Sequence, residues 1–174
     1  MALNGMPARS SEKGEETVEL SSSCEKKLKI CMETHGIKGE HLVFGQSCHS
    51  VEEAAAAANA RPDDFVKNIC LVDSDGNLVV AIVKGEDRVS TTRVGKAIGK
   101  DKPRTATPEE ILERTGYPCG GTPSFGYEAV FLVDERVMEK EWVLSGGGSE
   151  NSLLRIAPRE LLRANGGRVE KIRR

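Results

Sequence analysis

The sequence predicts a single domain of the mixed α/β class, with a mixed β-sheet surrounded by helices. Its 174 residues, of which 38% are apolar and 30% are charged, suit one globular domain with its own core. Two apolar, β-branched runs flank a DSDGN turn, and an Asp75-Gly76 turn of this kind joins antiparallel strands. The predicted strands and helices follow one another irregularly, which favours a mixed sheet over an all-parallel, doubly wound one.

The N-terminal region divides into a polar tail and a first helix. Residues 1–20 are rich in Ser, Glu, Lys and Gly without periodicity, which predicts a flexible tail ahead of one domain over residues 21–174. Apolar residues after Ser23 fall on one helical face, and Gly36 can end that helix in a left-handed conformation. A short strand is predicted next, at HLVFG (41–45).

A capped helix and a hairpin follow. A capping box of Ser50 and Glu53 opens SVEEAAAAANA and predicts an alanine-rich helix. The two strands of the Asp75-Gly76 hairpin are FVKNICLV and LVVAIVK, and a short helix is predicted at TTRVGKAIG.

A second capped helix precedes the remaining strands. It is predicted at TPEEILERTG, where Thr107 is the cap, Pro108 takes the first helical position and Gly116 ends the helix. Glu110 closes the capping box. Further strands are predicted at EAVFLVD, EWVLSG and LLRIAP, then a helix at PRELLRANGG and a last strand at RVEKI.

The charge balance argues against a protein that coats nucleic acid over its whole surface, because the formal net charge is -2. Local basic clusters are compatible with that balance, although charge that is simply solvated is the commoner explanation. The two candidate clusters are Lys100, Lys102 and Arg104, and Arg168, Lys171, Arg173 and Arg174.

The usual catalytic and metal-binding patterns are absent from the sequence. It contains no CxxC pair, no GxGxxG or phosphate-binding loop, no HExxH and no GxSxG, so no metal and no cofactor is predicted. The five cysteines suggest reduced thiols, and no signal peptide or membrane span is visible, so a cytoplasmic protein without membrane contact is expected. Cys119 is considered as a nucleophile but is expected to pack. Structural roles are expected for His35, His41 and His49.

The segment CGGTPSFG carries more turn-forming residues than a simple reversal of the chain needs. Gly120, Gly121 and Gly126 let the backbone approach a ligand and present successive N–H groups, while Pro123 stiffens the segment. Preorganised donors of this kind suit an oxyanion or carbonyl pocket. On the residues alone, a binding loop and a plain connection stay equally open.

Lys67 places an ammonium group on a strand face that is otherwise apolar, because its side chain points to the same side as Ile69 and Leu71. A lysine near a strand end commonly extends to water. The functional alternative is a cation that reaches a cleft beside the sheet and contacts a phosphate or a polarised carbonyl oxygen. Lys84, at the end of the partner strand, is a weaker candidate of the same kind.

Several segments occur in a family-like order: SVEEAA, FVKNICLV, KAIGKDKPRTATPEEILERTGYPCGGTPSFG, LSGGG and LLRIAPREL. This order, over residues 24–174, resembles the YbaK/ProX family of aminoacyl-tRNA deacylases, which are related to the editing domain of prolyl-tRNA synthetases. The resemblance implies that family's fold, a curved mixed sheet surrounded by helices. It also implies that Lys67 is the family's strand-opening lysine and that the glycine loop holds the aminoacyl ester.

The resemblance assigns the site residues. The residues assigned to catalysis are Lys67, Gly120, Gly121 and Thr122. Those assigned to substrate binding are Pro123, Ser124, Phe125 and Gly126, with Ser145, Gly146 and Gly147 from the second glycine cluster. The family's usual proline falls at Ser124, while Pro123 stands one residue earlier, and this departure bears on which amino acid the pocket accepts.

The implied function is hydrolysis of the ester that links a wrong amino acid to the terminal ribose of a tRNA, with tRNA(Pro) as one candidate. The loop would stabilise the oxyanion, and the substrate's 2′-hydroxyl would help to place the attacking water. The implied partners are the acceptor end of aminoacyl-tRNA and an aminoacyl-tRNA synthetase. The alternatives are a non-catalytic module of the same fold that binds tRNA ends or nucleotides, and a protein-interaction domain that uses the tail.

Overall fold

The computed structural model describes residues 10–174 of the chain, with side chains from residue 14 onward. The helices in this part are α1 (Ser10–His35), α2 (Val51–Ala58), α3 (Thr91–Ile98), α4 (Pro108–Thr115) and α5 (Pro158–Asn165). The strands are β1 (Glu40–Val43), β2 (Val66–Val72), β3 (Leu78–Lys84), β4 (Arg104–Thr105), β5 (Val130–Asp134), β6 (Val143–Gly146), β7 (Ser152–Ile156) and β8 (Arg168–Glu170).

The strands form two sheets, and the larger one is mixed. Its order is β4-β2-β3-β5-β8, with antiparallel pairs at β2/β3 and β2/β4 and parallel pairs at β3/β5 and β5/β8. The smaller sheet, β1-β7-β6, is antiparallel throughout. An isolated parallel bridge between Phe65 and Leu144 links the β2 side of the larger sheet to β6. The predicted mixed α/β class is confirmed, and the predicted strands divide between two sheets.

Strand β3 is buried along its whole length because it contributes to two apolar clusters. Val80 and Ile82 belong to the cluster on one face of the sheet, while Val79, Ala81 and Val83 belong to the cluster on the other. Side chains alternate between the faces of a strand, so an unbroken apolar run is what a strand covered on both sides requires. This explains LVVAIV in the sequence.

The predicted hairpin joins β2 to β3. The Asp73 carboxylate accepts hydrogen bonds from the backbone N–H groups of Asp75 and Asn77, both at 2.9 Å, and Lys100 forms an ion pair with that carboxylate. Gly76 has a φ of 84°, a left-handed conformation that glycine adopts without strain. The turn is therefore fixed by an acidic side chain as well as by its glycine.

Both predicted capping boxes are confirmed. Ser50 accepts from the N–H of Glu53 at the start of α2, and Thr107 accepts from the N–H of Glu110 at the start of α4. In each box the glutamate side chain returns to the backbone of the cap residue. Two of the orphan N–H groups of each helix are satisfied in this way.

Helix α1 begins at Ser10, although the sequence predicted its start at Ser23. Residues 10–20 of the predicted tail are therefore helical, and residues 1–9 of that tail lie outside the described part of the chain. The side chains described up to Leu20 are all exposed. An exposed helical segment needs no apolar face, so its sequence carries no periodic signal.

All five cysteines are free thiols. Within residues 10–174, no helix is long and apolar enough to cross a membrane.

Candidate functional site

A cavity of about 250 Å³ lies where the two sheets meet. It runs along the edge of β2, and the start of α2, strand β6 and the loop at 119–122 complete its walls. This edge of β2 is open because β4 pairs with β2 only at Leu71 and Val72. The cavity therefore collects groups from three separate parts of the sequence.

Backbone groups of β2 face the cavity side. The carbonyl oxygen of Phe65 accepts from Gly85 on the β3 side, and the carbonyl oxygen of Cys70 accepts from Ala106 on the opposite side. Because the direction of backbone groups alternates along a strand, the N–H and C=O of Asn68 point to the same side as those of Cys70, away from β3. The open edge thus offers main-chain donors and acceptors to a ligand.

Lys67 lines the cavity and is half-buried. Its ammonium group forms no hydrogen bond and no ion pair with any residue described by the structure. Burial lowers the pKa of Lys67, the nearby Asp87 carboxylate opposes that effect, and the positive charge of Arg88 adds to it. An unpaired, partly desolvated cation is available to a ligand, as the functional interpretation of this lysine requires.

Lys84 is in a different situation. It is buried, and its ammonium group forms ion pairs with Asp63 at 3.5 Å and Glu86 at 3.6 Å. Because these carboxylates balance its charge, Lys84 is not expected to bind a ligand.

Close packing explains both glycines at the start of the loop. Gly120 has a φ of 90°, and a Cβ atom there would overlap the imidazole ring of His49. A Cβ atom at Gly121 would lie 2.7 Å from the carbonyl carbon of Ser149, which is backbone and cannot move aside. The loop is therefore pressed against two neighbouring segments, where only glycine fits.

Hydrogen bonds hold the loop in place from within and from the second glycine cluster. The N–H of Gly121 and the hydroxyl of Thr122 both donate to the carbonyl oxygen of Pro118, at 3.0 and 2.9 Å. Gly148 donates its N–H to the carbonyl oxygen of Gly121 at 2.8 Å. The N–H groups of Gly120 and Thr122 have no hydrogen-bond partner among the described residues, which leaves them free for a ligand.

Asn68 connects the loop to both sheets, and the sequence analysis did not single it out. Its amide donates to the carbonyl oxygen of Thr122 at 2.9 Å and to the hydroxyl of Ser145 at 3.3 Å. Ser124 donates to the amide oxygen of Asn68 at 2.7 Å, and the two serine hydroxyls lie 2.6 Å apart. A signal was present in the sequence, because a polar residue stands between Val66 and Cys70 on an otherwise apolar face of the strand.

The predicted site residues divide into two groups. The cavity is lined by Lys67, Gly120, Thr122, Ser145 and Gly146. The predicted residues that do not line the cavity are Gly121, Pro123, Ser124, Phe125, Gly126 and Gly147. Phe125 is fully buried in the apolar core, and the Ser124 hydroxyl turns to Asn68. Direct contact of these two side chains with a ligand is therefore not expected, and their position indicates support of the loop.

His49 lines the cavity although the sequence gave no reason to prefer it over the other histidines. Its Nδ1 atom lies 3.4 Å from a carboxylate oxygen of Glu150, and both side chains are about half exposed, at 55% and 53%. The imidazole ring covers Gly120. His49 thus forms part of the rim of the cavity.

Three thiols line the apolar part of the cavity: Cys48, Cys70 and Cys119. Burial raises the pKa of Cys70 to about 12, and Cys119 adds to the effect. Burial also raises the pKa of Cys48. These two thiols stay protonated at neutral pH and are poor nucleophiles. For Cys119, no hydrogen bond to a basic side chain is found in the described part of the chain, in agreement with the expected packing role.

The fold and the cavity define a class of protein: a mixed α/β domain with a small cavity. Backbone groups, one lysine and apolar side chains line this cavity. Solved structures share this fold. A protein named as a candidate trans-editing enzyme for prolyl tRNA synthetase superposes with a TM-score of 0.80 at 28% identity, covering 87% of this chain and 97% of that one. The hypothetical protein APE2540 gives a TM-score of 0.79 at 30% identity, covering 85% and 99%.

Sequence comparison identifies the family. The family model described as the aminoacyl-tRNA editing domain matches residues 46–164, and the chain belongs to this family. Relatives include a proline–tRNA ligase of Oleidesulfovibrio alaskensis, 24% identical over 75% of this chain and 23% of the ligase. The uncharacterized protein YwhH of Bacillus subtilis is 25% identical over 68% of this chain and 76% of its own length. The chain thus spans about a quarter of the first of these relatives.

Proposed function

We propose that this chain is a trans-editing aminoacyl-tRNA deacylase, which hydrolyses the ester bond of a mischarged tRNA in the cavity beside β2. The observation that carries the proposal is the half-buried ammonium group of Lys67 next to the glycine loop, where neither this ammonium nor the N–H groups of Gly120 and Thr122 have a partner among the described residues. Membership of the aminoacyl-tRNA editing family supports the same substrate class.

The chemistry is the addition of water to an activated ester. The water oxygen attacks the ester carbonyl carbon, the carbonyl oxygen becomes an oxyanion, and the bond to the ribose oxygen then breaks. The ribose oxygen takes a proton, so the products are a free amino acid and uncharged tRNA. Because an ester has a good leaving group, positioning and oxyanion stabilisation can supply most of the rate enhancement.

The donors for the oxyanion are proposed to be the N–H groups of Gly120 and Thr122. The N–H of Gly121 is unsuitable because it already donates to Pro118. Fixed backbone donors cost little reorganisation during the reaction, and removing one such donor from an enzyme typically lowers kcat by about 10²–10³-fold. Lys67 adds a positive charge that attracts the ester carbonyl oxygen or the adjacent phosphate.

The 2′-hydroxyl of the terminal adenosine is proposed to place the attacking water. The substrate is given this role because no catalytic triad of serine, histidine and carboxylate is found among the described residues near Lys67 and the loop. As expected of an enzyme that acts on charged tRNA, a cytoplasmic location and an aminoacyl-tRNA synthetase as a partner belong to the same proposal.

The size of the cavity supports an editing role. At about 250 Å³ it is smaller than most ligand pockets, which measure about 300–1,000 Å³, and it suits an aminoacyl group better than a whole nucleotide. A synthetic site discriminates one methylene by only about 1–3 kcal/mol, so a second, small hydrolytic pocket adds the missing selectivity. Its apolar, thiol-lined wall fits a small, uncharged side chain.

The competing function is a non-catalytic module that binds tRNA ends. The two are separated by incubating the full chain with a panel of mischarged tRNAs, including mischarged tRNA(Pro), and measuring the release of free amino acid. We expect release well above the enzyme-free rate for a small subset of the panel. Tight tRNA binding without hydrolysis of any member would support the binding module instead.

A further inference from the structure

Three exposed arginines lie on neighbouring segments of the fold: Arg88, Arg93 and Arg174, called here the basic strip. The chain segment at 172–174 runs antiparallel to the segment at 88–90 and brings them together. Ser90 donates its N–H to the carbonyl oxygen of Ile172 at 2.7 Å, and Arg174 donates to that of Arg88 at 2.8 Å. The guanidinium of Arg93 donates to the carbonyl oxygen of Arg173 at 2.6 Å.

The basic strip adjoins the candidate site through Lys67. Arg88 is close enough to Lys67 for the two positive charges to oppose each other. The segment that carries Arg88 leaves β3 at Lys84, opposite Val66, and so begins at the same end of β2 as Lys67. Two carboxylates also act on Lys67: Glu52, and Asp87, which is bound by the guanidinium of Arg136 at 2.7 Å.

Carboxylates do not neutralise the basic strip. Arg88 and Arg174 have no carboxylate oxygen within ion-pair distance among residues 14–174, and Arg93 contacts only a backbone carbonyl. Helix α3, which carries Arg93 in its first turn, has no acidic residue there, whereas α2, α4 and α5 each carry glutamate in the first turn. A cation at a helix N-terminus is opposed by the helix dipole, so the charge of Arg93 does not stabilise α3.

Four of the seven residues in the basic clusters expected from the sequence form ion pairs with described residues. In the first cluster, Lys100 forms ion pairs with Asp73 and Asp75, and Arg104 with Glu110. In the second cluster, Arg173 is held by Asp134 and Glu135, and Arg168 donates to a backbone carbonyl. Arg174 belongs to the second of these clusters, and the fold brings it next to Arg88 and Arg93, which are distant from it along the chain.

We propose that the basic strip binds the phosphates of the RNA strand whose aminoacylated 3′ end occupies the cavity. The inference rests on the proposed function. Arginine suits this task because its planar fork can donate two parallel hydrogen bonds to one phosphate. Affinity for the polynucleotide would then come from the strip, while the cavity selects the aminoacyl group.

The test measures binding of uncharged tRNA to the full chain by fluorescence anisotropy, between about 50 and 200 mM salt. The double variant Arg88→Gln/Arg93→Gln removes two charges from the strip. Lys29→Gln/Arg159→Gln is the matched control, because it removes the same charge from two exposed residues outside the strip that form no ion pair among the described residues. Two lost contacts to a single strand should reduce the slope of log K against log salt by about 1.4.

We expect the strip variant to bind tRNA about tenfold more weakly at low salt and the control to match the wild type. Arg88→Lys/Arg93→Lys should restore most of the slope, because it keeps the charge, and this separates a phosphate contact from a purely structural effect. Equal slopes for the strip and control variants would overturn the proposal.

The two proposals fail separately. Hydrolysis of mischarged tRNA by the wild type, together with equal slopes, would contradict the basic strip alone. Binding that depends on the strip, without hydrolysis of any mischarged tRNA, would contradict the deacylase function alone.

Discussion

Adjacent residues of β2 bring two different groups to the candidate site. Lys67 supplies a cation without a hydrogen-bond or ion-pair partner among residues 14–174, while Asn68 faces the other side of the strand and joins Thr122 to Ser145. The two side chains point to opposite faces because side chains alternate along a strand. One residue is suited to contact the substrate, and the other holds the loop that contacts it.

Replacing Lys67 with alanine should reduce kcat/KM for a mischarged tRNA by about 100-fold, the range found when an oxyanion-stabilising contact is lost. The fold should persist, because Lys67 forms no hydrogen bond or ion pair with the described residues. The measurement is deacylation kinetics together with thermal unfolding. Lys29→Ala, at an exposed lysine of α1, is the control and should keep the wild-type rate. Full activity of the Lys67 variant would reject the role of this residue.

Replacing Asn68 with alanine should destabilise the protein by about 1–3 kcal/mol, because buried hydroxyl and carbonyl groups lose their partner. We also expect a lower kcat, since the Thr122 backbone is no longer held. Urea unfolding and single-turnover hydrolysis measure the two effects. The control is Asn151→Ala, whose side chain is exposed and has no hydrogen bond in the described part of the chain. A variant with wild-type stability and kcat would show that Asn68 does not position the loop.

At the scale of elements, the loop at 119–126 contains residues that line the cavity and residues that support them through buried contacts. Cys119, Gly120 and Thr122 line the cavity. Pro123, Ser124 and Phe125 are buried, and Tyr127 donates its hydroxyl to the carbonyl oxygen of Pro123 at 2.7 Å. Ser124, at the position of the family's usual proline, uses its hydroxyl to bind Asn68. Any effect of Ser124 on specificity would therefore act through loop position.

Replacing Gly121 with alanine should destabilise the chain by about 1–3 kcal/mol and reduce deacylation, because the added methyl group would meet the Ser149 backbone at 2.7–2.8 Å and push the loop into the cavity. Gly45→Ala is the matched control, since a Cβ atom there meets nothing within 4 Å. Unfolding curves and initial rates report both effects. Wild-type rates in the Gly121 variant would argue against the loop as the ester site.

At the scale of the whole molecule, the cavity lies at the junction of two sheets. The larger sheet supplies β2, the smaller sheet supplies β6, and the bridge between Phe65 and Leu144 fixes their separation. The C-terminal segment is attached to the larger sheet by Asp134. This buried carboxylate accepts from the N–H groups of Ile172 and Arg173, at 2.9 and 3.1 Å, and from the Arg173 guanidinium at 2.9 Å.

The Asp134 attachment predicts a pH-dependent contribution to stability. Burial alone would raise the pKa of Asp134, but its hydrogen bonds from the backbone and from Arg173 lower the pKa on balance. A carboxyl whose pKa is lower in the folded state stabilises the protein above its unfolded pKa of about 3.9, and this contribution is lost as the pH falls through the folded pKa.

Asp134→Asn should therefore lower the free energy of unfolding by about 1–3 kcal/mol at pH 7, because the N–H groups of Ile172 and Arg173 lose a charged acceptor. The difference from the wild type should shrink as the pH falls below about 4. Urea unfolding at several pH values measures both. Arg159→Gln, at an exposed arginine, should show no such dependence on pH. A difference that is constant from pH 7 to acid would contradict the assignment to the ionised carboxylate.

The sequence by itself determined the features that depend on local chemistry. The capping boxes at Ser50 and Thr107, the Asp75-Gly76 hairpin and the unusual density of glycine at 119–126 are all local, because their hydrogen bonds and backbone angles involve residues a few positions apart. The motifs that resemble the editing family are also short segments of consecutive residues, so they can be read from the sequence. These features sufficed for the fold class and for Lys67 as a candidate.

Only the tertiary structure decided which groups meet. The hydrogen bonds of Asn68 to Ser124 and Ser145, the ring of His49 over Gly120 and the basic strip all join residues far apart in the chain. Their positions depend on the packing of two sheets, which no local pattern encodes. The exposed start of α1 was missed for the related reason that a helix without a packed face leaves no apolar periodicity in the sequence.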